Sequence, residues 1–253
     1  MKNAANKYMV KKIRNMGFYN YYKKVSFEIE TNPSWSKNSA FVPRMKIQTP
    51  GNDPTGLIFM NDFLYLSDAL MGKIFKIDVK RGLAIDEIKA PVDHPWGMCT
   101  DGDSIWMTDD VKKVVINVSN NFDKVYKRFY YDKLKGKIDL DLHGLALYEG
   151  NLWVSDFMGS RILRIDPSDG RITQEIPVYI PDLSGLLVDG NSFWIASSML
   201  SYLFKVNCKG EILKIVKIMD GDYNHIHALT VINDKEIAFS SRNKLTVTIG
   251  EIL

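Results

Sequence analysis

Beyond residue 40 the chain alternates apolar and polar residues with a period of two. KIFKID (Lys73–Asp78), KVVINV (Lys113–Val118), RILRID (Arg161–Asp166), YLFKVN (Tyr202–Asn207) and KLTVTI (Lys244–Ile249) all follow this rhythm. Such alternation buries one face of an extended chain and predicts half-buried β-strands. Each segment follows a second apolar stretch that carries an aromatic residue, as in NLWVSD (Asn151–Asp156). Short turns rich in Asn, Asp and Gly precede those stretches: Asn61-Asp62, Asp101-Gly102, Glu149-Gly150, Asp189-Gly190 and Asn233-Asp234. These residue types tolerate the positive φ of a tight hairpin.

The strands recur as a repeat. TGLIFMNDFLYLSD (from Thr55), WGMCTDGDSIWMTD (Trp96), HGLALYEGNLWVSD (His143) and SGLLVDGNSFWIAS (Ser184) align without gaps, and HALTVINDKEIAFSS (His227) is a degenerate fifth copy. Gly56, Gly97, Gly144, Gly185 and Ala228 stand at the same position, spaced 41, 47, 41 and 43 residues apart. Tyr65, Trp106, Trp153 and Trp194 follow nine residues after their glycines. A period of 40–45 residues with several short strands per unit predicts an all-β propeller of five four-stranded blades. Outer strands are expected at Ala84–Ala90, Lys124–Tyr131, Ile172–Tyr179 and Ile212–Met219. The fifth unit ends at Leu253 after its third strand, so Arg44–Gln48 is expected to complete it and cover its open edge. The alternative is six blades, with Val25–Glu30 in a degenerate extra one. The domain division expected is a basic arm or cap over residues 1–40 and a propeller over 41–253, with Lys7–Met16 as a short amphipathic helix.

Length and charge refine this. A chain of 253 residues suits one all-β domain. Two distant cysteines, Cys99 and Cys208, argue against a disulfide framework. No apolar run is long enough to span a membrane, and no apolar stretch follows the N-terminal lysines, so a cytoplasmic location is expected. Residues 1–24 carry seven bases and no acid, which leaves 26 bases against 30 acids in the rest. The body therefore has no basic excess, and a nucleic-acid partner is not expected.

The residues from Pro54 to Leu253, and HPWGMCTDGDSIWMTD and LHGLALYEGNLWVSDFMGSRILRIDPSDGRI above all, resemble the superfamily of streptogramin lyase-like, gluconolactonase-like and NHL-type propellers. The resemblance implies the fold and carries no catalytic residue with it. Blade count and length are also similar to the five-bladed glutaminyl cyclase group. That group places acidic residues just before the blade glycines, where this chain has Thr55, Trp96, His143, Ser184 and His227.

Propeller topology places the segments before each blade glycine at one mouth of the central channel. Those segments hold all four histidines of the protein. They read Asp93, His94 and Trp96; Asp139, Asp141 and His143; Asp182 and Ser184; Asp222, Tyr223, His225 and His227. Catalysis is expected from His143, His227 and His225. Trp96, His94, Ser184, Tyr223 and Thr55 are expected to contact a small-molecule substrate. His143 and His227 with Asp141 or Asp182 offer imidazole and carboxylate donors for a divalent ion: Zn or Mn, or Mg or Ca where oxygen donors dominate. Without a metal, a histidine serves as general acid or base. The expected activity is that of a lyase, cyclase or lactone hydrolase. The competing reading is a non-catalytic scaffold for a peptide or protein, with Tyr126–Asp141 as docking loop. Asp68, Asp109 and Asp156, which recur after the aromatic strand, read as turn caps.

Overall fold

The alternating segments form 20 strands among the described residues, which are 39–131, 140–178, 180–218 and 224–253 of the computed structural model. Residues 1–38 lie outside them, and with them most of the arm expected over residues 1–40, the helix expected at Lys7–Met16, and Val25–Glu30. After β1 (Ala40–Gln48) come four antiparallel meanders. Blade one is β2–β5 (Pro54–Met60, Phe63–Asp68, Lys73–Asp78, Leu83–Lys89). Blade two is β6–β9 (Pro95–Thr100, Ile105–Asp109, Val114–Val118, Val125–Tyr130). Blade three is β10–β13 (Leu142–Tyr148, Asn151–Asp156, Arg161–Ile165, Ile172–Pro177). Blade four is β14–β17 (Leu183–Asp189, Ser192–Ser197, Tyr202–Asn207, Ile212–Ile218). The last three strands, β18 (Ile226–Val231), β19 (Glu236–Ser241) and β20 (Thr246–Ile252), form an open fifth.

β1 closes it. It runs antiparallel to β20 from Phe41↔Ile252 to Gln48↔Thr246, so the propeller has five blades. The closing strand begins four residues before the expected Arg44. Its first residues pair in parallel with β17 (Ala40↔Lys217, Phe41↔Ile218), which joins blades four and five into one eight-stranded sheet. Phe41 holds this end in place: it is fully buried and meets Phe239 edge-on at 5.1 Å.

The core is a ring of interfaces. Five apolar clusters each draw residues from two neighbouring blades. The repeated aromatics sit in them; Trp153 of blade three packs on Phe193 of blade four at 4.9 Å. Nearest the channel the blades are tied by hydroxyls. Thr108 Oγ1 accepts the N–H of Gly97 at 2.7 Å and donates to the carbonyl of His143 at 3.0 Å. Ser67 does the same between Gly56 and Trp96, and Ser155 between Gly144 and Ser184. Ser240 donates to Thr55 O across the closure at 2.9 Å. Blade four has Ala196 at this position, and there the Ser184 hydroxyl bonds Ile226 O instead. Glycine is required at the convergence. A Cβ on Gly97 would lie 2.0 Å from His143 O, and one on Gly144 2.3 Å from Ser184 O.

Candidate functional site

Each blade enters its first strand from the mouth of the channel, and its second strand returns there. A backbone hydrogen bond closes this corner at residue −3 from the blade glycine: Ala69 N to Asp53 O, Phe157 N to Asp141 O, Ser198 N to Asp182 O and Arg242 N to His225 O. The repeated aspartates brace the same corners. Asp68 accepts N–H groups from Asn52, Asp53 and Met71. Asp109 accepts those of His94 and Lys112, and Asp156 those of Asp141 and Gly159. Five chemically rich residues are thereby held at position −3: Asp53, His94, Asp141, Asp182 and His225. Behind them at −1 stand Thr55, Trp96, His143, Ser184 and the degenerate copy's His227. The carboxylates that are missing next to the glycine stand two positions earlier.

Trp96 is the hub. Its ring lies 4.3 Å from His143, 5.2 Å from His227 and 5.6 Å from His94, centroid to centroid. Phe157 stacks on His143 at 4.4 Å, and His225 on His227 at 6.4 Å. All four histidines therefore share one aromatic cluster. Trp96 Nε1, His143 Nδ1 and His227 Nδ1 are buried with no hydrogen-bond partner in the protein. Buried polar atoms are normally satisfied, so three orphans around one ring make this a candidate site for a ligand's polar groups.

The charges around the hub differ in state. Burial pushes the Asp182 carboxyl up to about 7. Burial also raises Asp53, against the pull of Arg242, whose Nε lies 2.6 Å from Asp53 Oδ1. Burial works in the same direction on Asp141, but His143 Nε2 at 3.4 Å and Lys113 Nζ at 3.5 Å outweigh it, and this carboxyl titrates below its ordinary value. His227 is held well below the usual imidazole range by burial, then by His143, Arg242 and His225, so it is neutral near pH 7. Burial lowers His225 too.

Of the residues expected from sequence, Trp96, His94, His143, His225 and His227 meet in this cluster. Tyr223, Asp222 and Asp139 lie outside the described residues. Thr55 and Ser184 are fully buried, and their hydroxyls bond Pro95 O and Ile226 O, so they join blades. One Asp110, Asp141 and His143 donor atom each lie within 4.8 Å of one another, a spacing that could hold a metal ion. His227 and Asp182 are not in that group. Two of the three donors are engaged already, since Lys113 pairs with Asp141 and His94 hydrogen-bonds Asp110. A divalent ion there would compete with both, so these residues do not fit a metal well.

Sequence reading missed Asp53, Asp110, Phe157 and Arg242. Asp53 had a usable signal, since it precedes Gly56 by the same three residues that separate Asp141 from Gly144 and Asp182 from Gly185. The other three follow strand two in their blades, where only the capping residue recurs.

Residues 53–183, just over half of the chain, match the family described as glutamine cyclotransferase. No curated protein matches significantly. Among solved structures, the glutaminyl cyclase of Myxococcus xanthus superposes with a TM-score of 0.69 at 12% identity, covering 85% of this chain and 96% of that one. A streptogramin B lyase aligns with a TM-score of 0.52 at 16% identity over 84% and 88% of the two chains. A chain of a nidogen/laminin complex does so with 0.54 at 17% identity over 79% and 76%. At these identities the structural matches speak for the fold. Among the described residues no helix is long and apolar enough to cross a membrane.

Proposed function

The chain belongs to the glutamine cyclotransferase family, and from that premise we propose that it is a propeller enzyme that cyclises an N-terminal glutaminyl residue at the mouth around Trp96. The observation that carries this reading is the cluster of three unpartnered buried nitrogens on Trp96, His143 and His227.

In the cyclisation, the substrate's neutral α-amine attacks its own side-chain amide carbon. A C–N bond forms, the carbonyl oxygen gains negative charge, and the amide C–N bond breaks to release ammonia. One proton must leave the attacking nitrogen and one must reach the departing nitrogen. The indole N–H of Trp96 donates to the carbonyl oxygen and stabilises its developing charge. His143 and His227, both packed against the Trp96 ring, fix the orientation of the amide. Asp182 stands at the same −3 corner of its blade as Asp53 and Asp141. Its carboxyl, pushed up to about 7 by burial, is suited to move the proton, because a group poised near the working pH both accepts and returns it. Closing a five-membered lactam is intramolecular, so positioning supplies much of the rate. No metal is needed in this scheme.

The test is ammonia release and pyroglutamyl product from glutamine-initiated dipeptides, with Trp96→Phe and Asp182→Asn alongside. Turnover by the native protein and its loss in both variants are expected. No product from any glutamine-initiated peptide overturns the reading.

A further inference from the structure

The turns that carry the mouth residues also carry exposed apolar side chains. Two positions beyond the strand-two cap stand Leu70 in blade one, Val111 in blade two, Met158 in blade three and Met199 in blade four, with 66%, 68%, 60% and 36% of their surface exposed. Turn tips ordinarily favour Gly, Asn, Asp and Ser. Here four of five blades break that preference in the same place. They do so on the face that holds Trp96, because backbone hydrogen bonds in blades one, three and four, and the Asp109 carboxylate in blade two, tie these turns to the mouth corners.

One stretch of this rim deepens into a groove of about 500 Å³. It lies between the Leu70–Lys73 turn of blade one and the chain that leaves β5 towards blade two, and Leu70, Met71, Ile88 and Val92 supply its apolar part. Of its charged neighbours, Lys73 Nζ meets Glu87 Oε1 at 2.7 Å and Asp93 pairs with Lys112, while Lys89 also lines the wall. The groove ends at Asp93, one residue from His94, whose ring stacks on Trp96. The path from the reaction centre is therefore short. The three residues from Asp93 to Trp96 span at most ~11 Å, the reach of about three extended substrate residues.

We propose that this groove is a specificity subsite for the apolar side chain of the second or third residue of a polypeptide whose N-terminal glutamine lies at Trp96. The inference rests on the proposed cyclase reading and names its substrate class: peptides and proteins with apolar residues after the glutamine, in preference to free glutamine. The exposed tips at Val111, Met158 and Met199 give the rest of the chain an apolar margin to leave by.

The experiment measures binding without turnover, using the product-like tetrapeptides pyroglutamyl-Leu-Leu-Gly and pyroglutamyl-Ser-Ser-Gly on the full chain and on Leu70→Ser/Met71→Ser. The leucine peptide is expected to bind the native protein about tenfold more tightly, as partial burial of one leucine side chain predicts. The variant should bring the two within about twofold. Equal binding of both peptides by the native protein, or a preference that survives in the variant, overturns the groove assignment and leaves the cyclase reading standing. Binding of neither peptide also overturns the groove assignment, and the turnover assay on glutamine-initiated dipeptides decides the cyclase reading separately. A peptide with a photoreactive third residue gives an answer that needs no variant. Crosslinks within residues 70–93 support the assignment, and crosslinks confined elsewhere overturn it.

Discussion

The indole of Trp96 lies 4.3 Å from the imidazole of His143, and each ring keeps a buried nitrogen without a partner. The two lie in different blades and are not neighbours in the sequence. They meet because blades two and three converge where Gly97 has no side chain, directly under the His143 carbonyl. Aromatic packing holds the rings, and the unsatisfied nitrogens give the packed cluster a chemical direction.

Trp96→Phe separates these two roles. Phenylalanine keeps an aromatic ring beside His143 and His227 but has no N–H. Loss of one oxyanion donor typically lowers kcat by about 10²–10³-fold. The expected result is that loss with KM changed by less than about threefold, read from initial rates of ammonia release. Unchanged kcat would remove the indole from the reaction.

Asp182→Asn should make the protein more stable and inactive. The carboxyl ionises near 3.8 in the unfolded chain and near 7 in the folded one. A raised acid destabilises the fold once it must ionise, so the native protein loses stability as pH rises from about 4 to 7 and recovers none above that. Asparagine has no such dependence. Denaturant unfolding is expected to show the variant ahead by about 2–4 kcal/mol at pH 8 and level with the native protein near pH 4. The native kcat should rise with pH through about 7, because ionised Asp182 is the form that accepts the proton.

Chelation tests the metal question directly. Asp110, Asp141 and His143 have the spacing for an ion, while Lys113 and His94 already engage two of the three. Prolonged dialysis against EDTA should leave activity and melting temperature unchanged. Activity lost on dialysis and restored by Zn or Mn would place an ion in the reaction. The double variant His143→Ala/His227→Ala, assayed for metal content, would then show whether the channel mouth holds it.

Thr108→Val removes an interblade tie while keeping the shape of the side chain. The N–H of Gly97 loses its acceptor and the His143 carbonyl loses a donor, both in buried surroundings. Each group left unsatisfied costs about 1–3 kcal/mol. The variant should unfold about 2–4 kcal/mol earlier than the native protein in denaturant. It should also displace His143 enough to lower activity.

The propeller could be read from the chain because its causes are local and repeated. Period-two alternation sets the strands, Asn, Asp and Gly set the turns, and the 41–47-residue interval sets the blades. The closing strand was legible for the same reason, since an unpaired edge on β20 calls for a partner. Its first four residues were not, because Ala40 and Phe41 answer to β17 and Phe239, which lie far along the chain.

The mouth divides along the same line. That histidines and aspartates gather before the blade glycines is a property of the sequence. What each one does was decided by the tertiary structure. Thr55 and Ser184 look like ligand contacts in the sequence, yet their hydroxyls bond the neighbouring blade. Asp141 and Asp182 are equivalent by position, yet one lies beside Lys113 and titrates low while the other is buried and titrates near 7. Repetition determines where a side chain is placed. Its charge state and bonding depend on the groups that the other blades bring to it, and only closure of the ring brings those groups together.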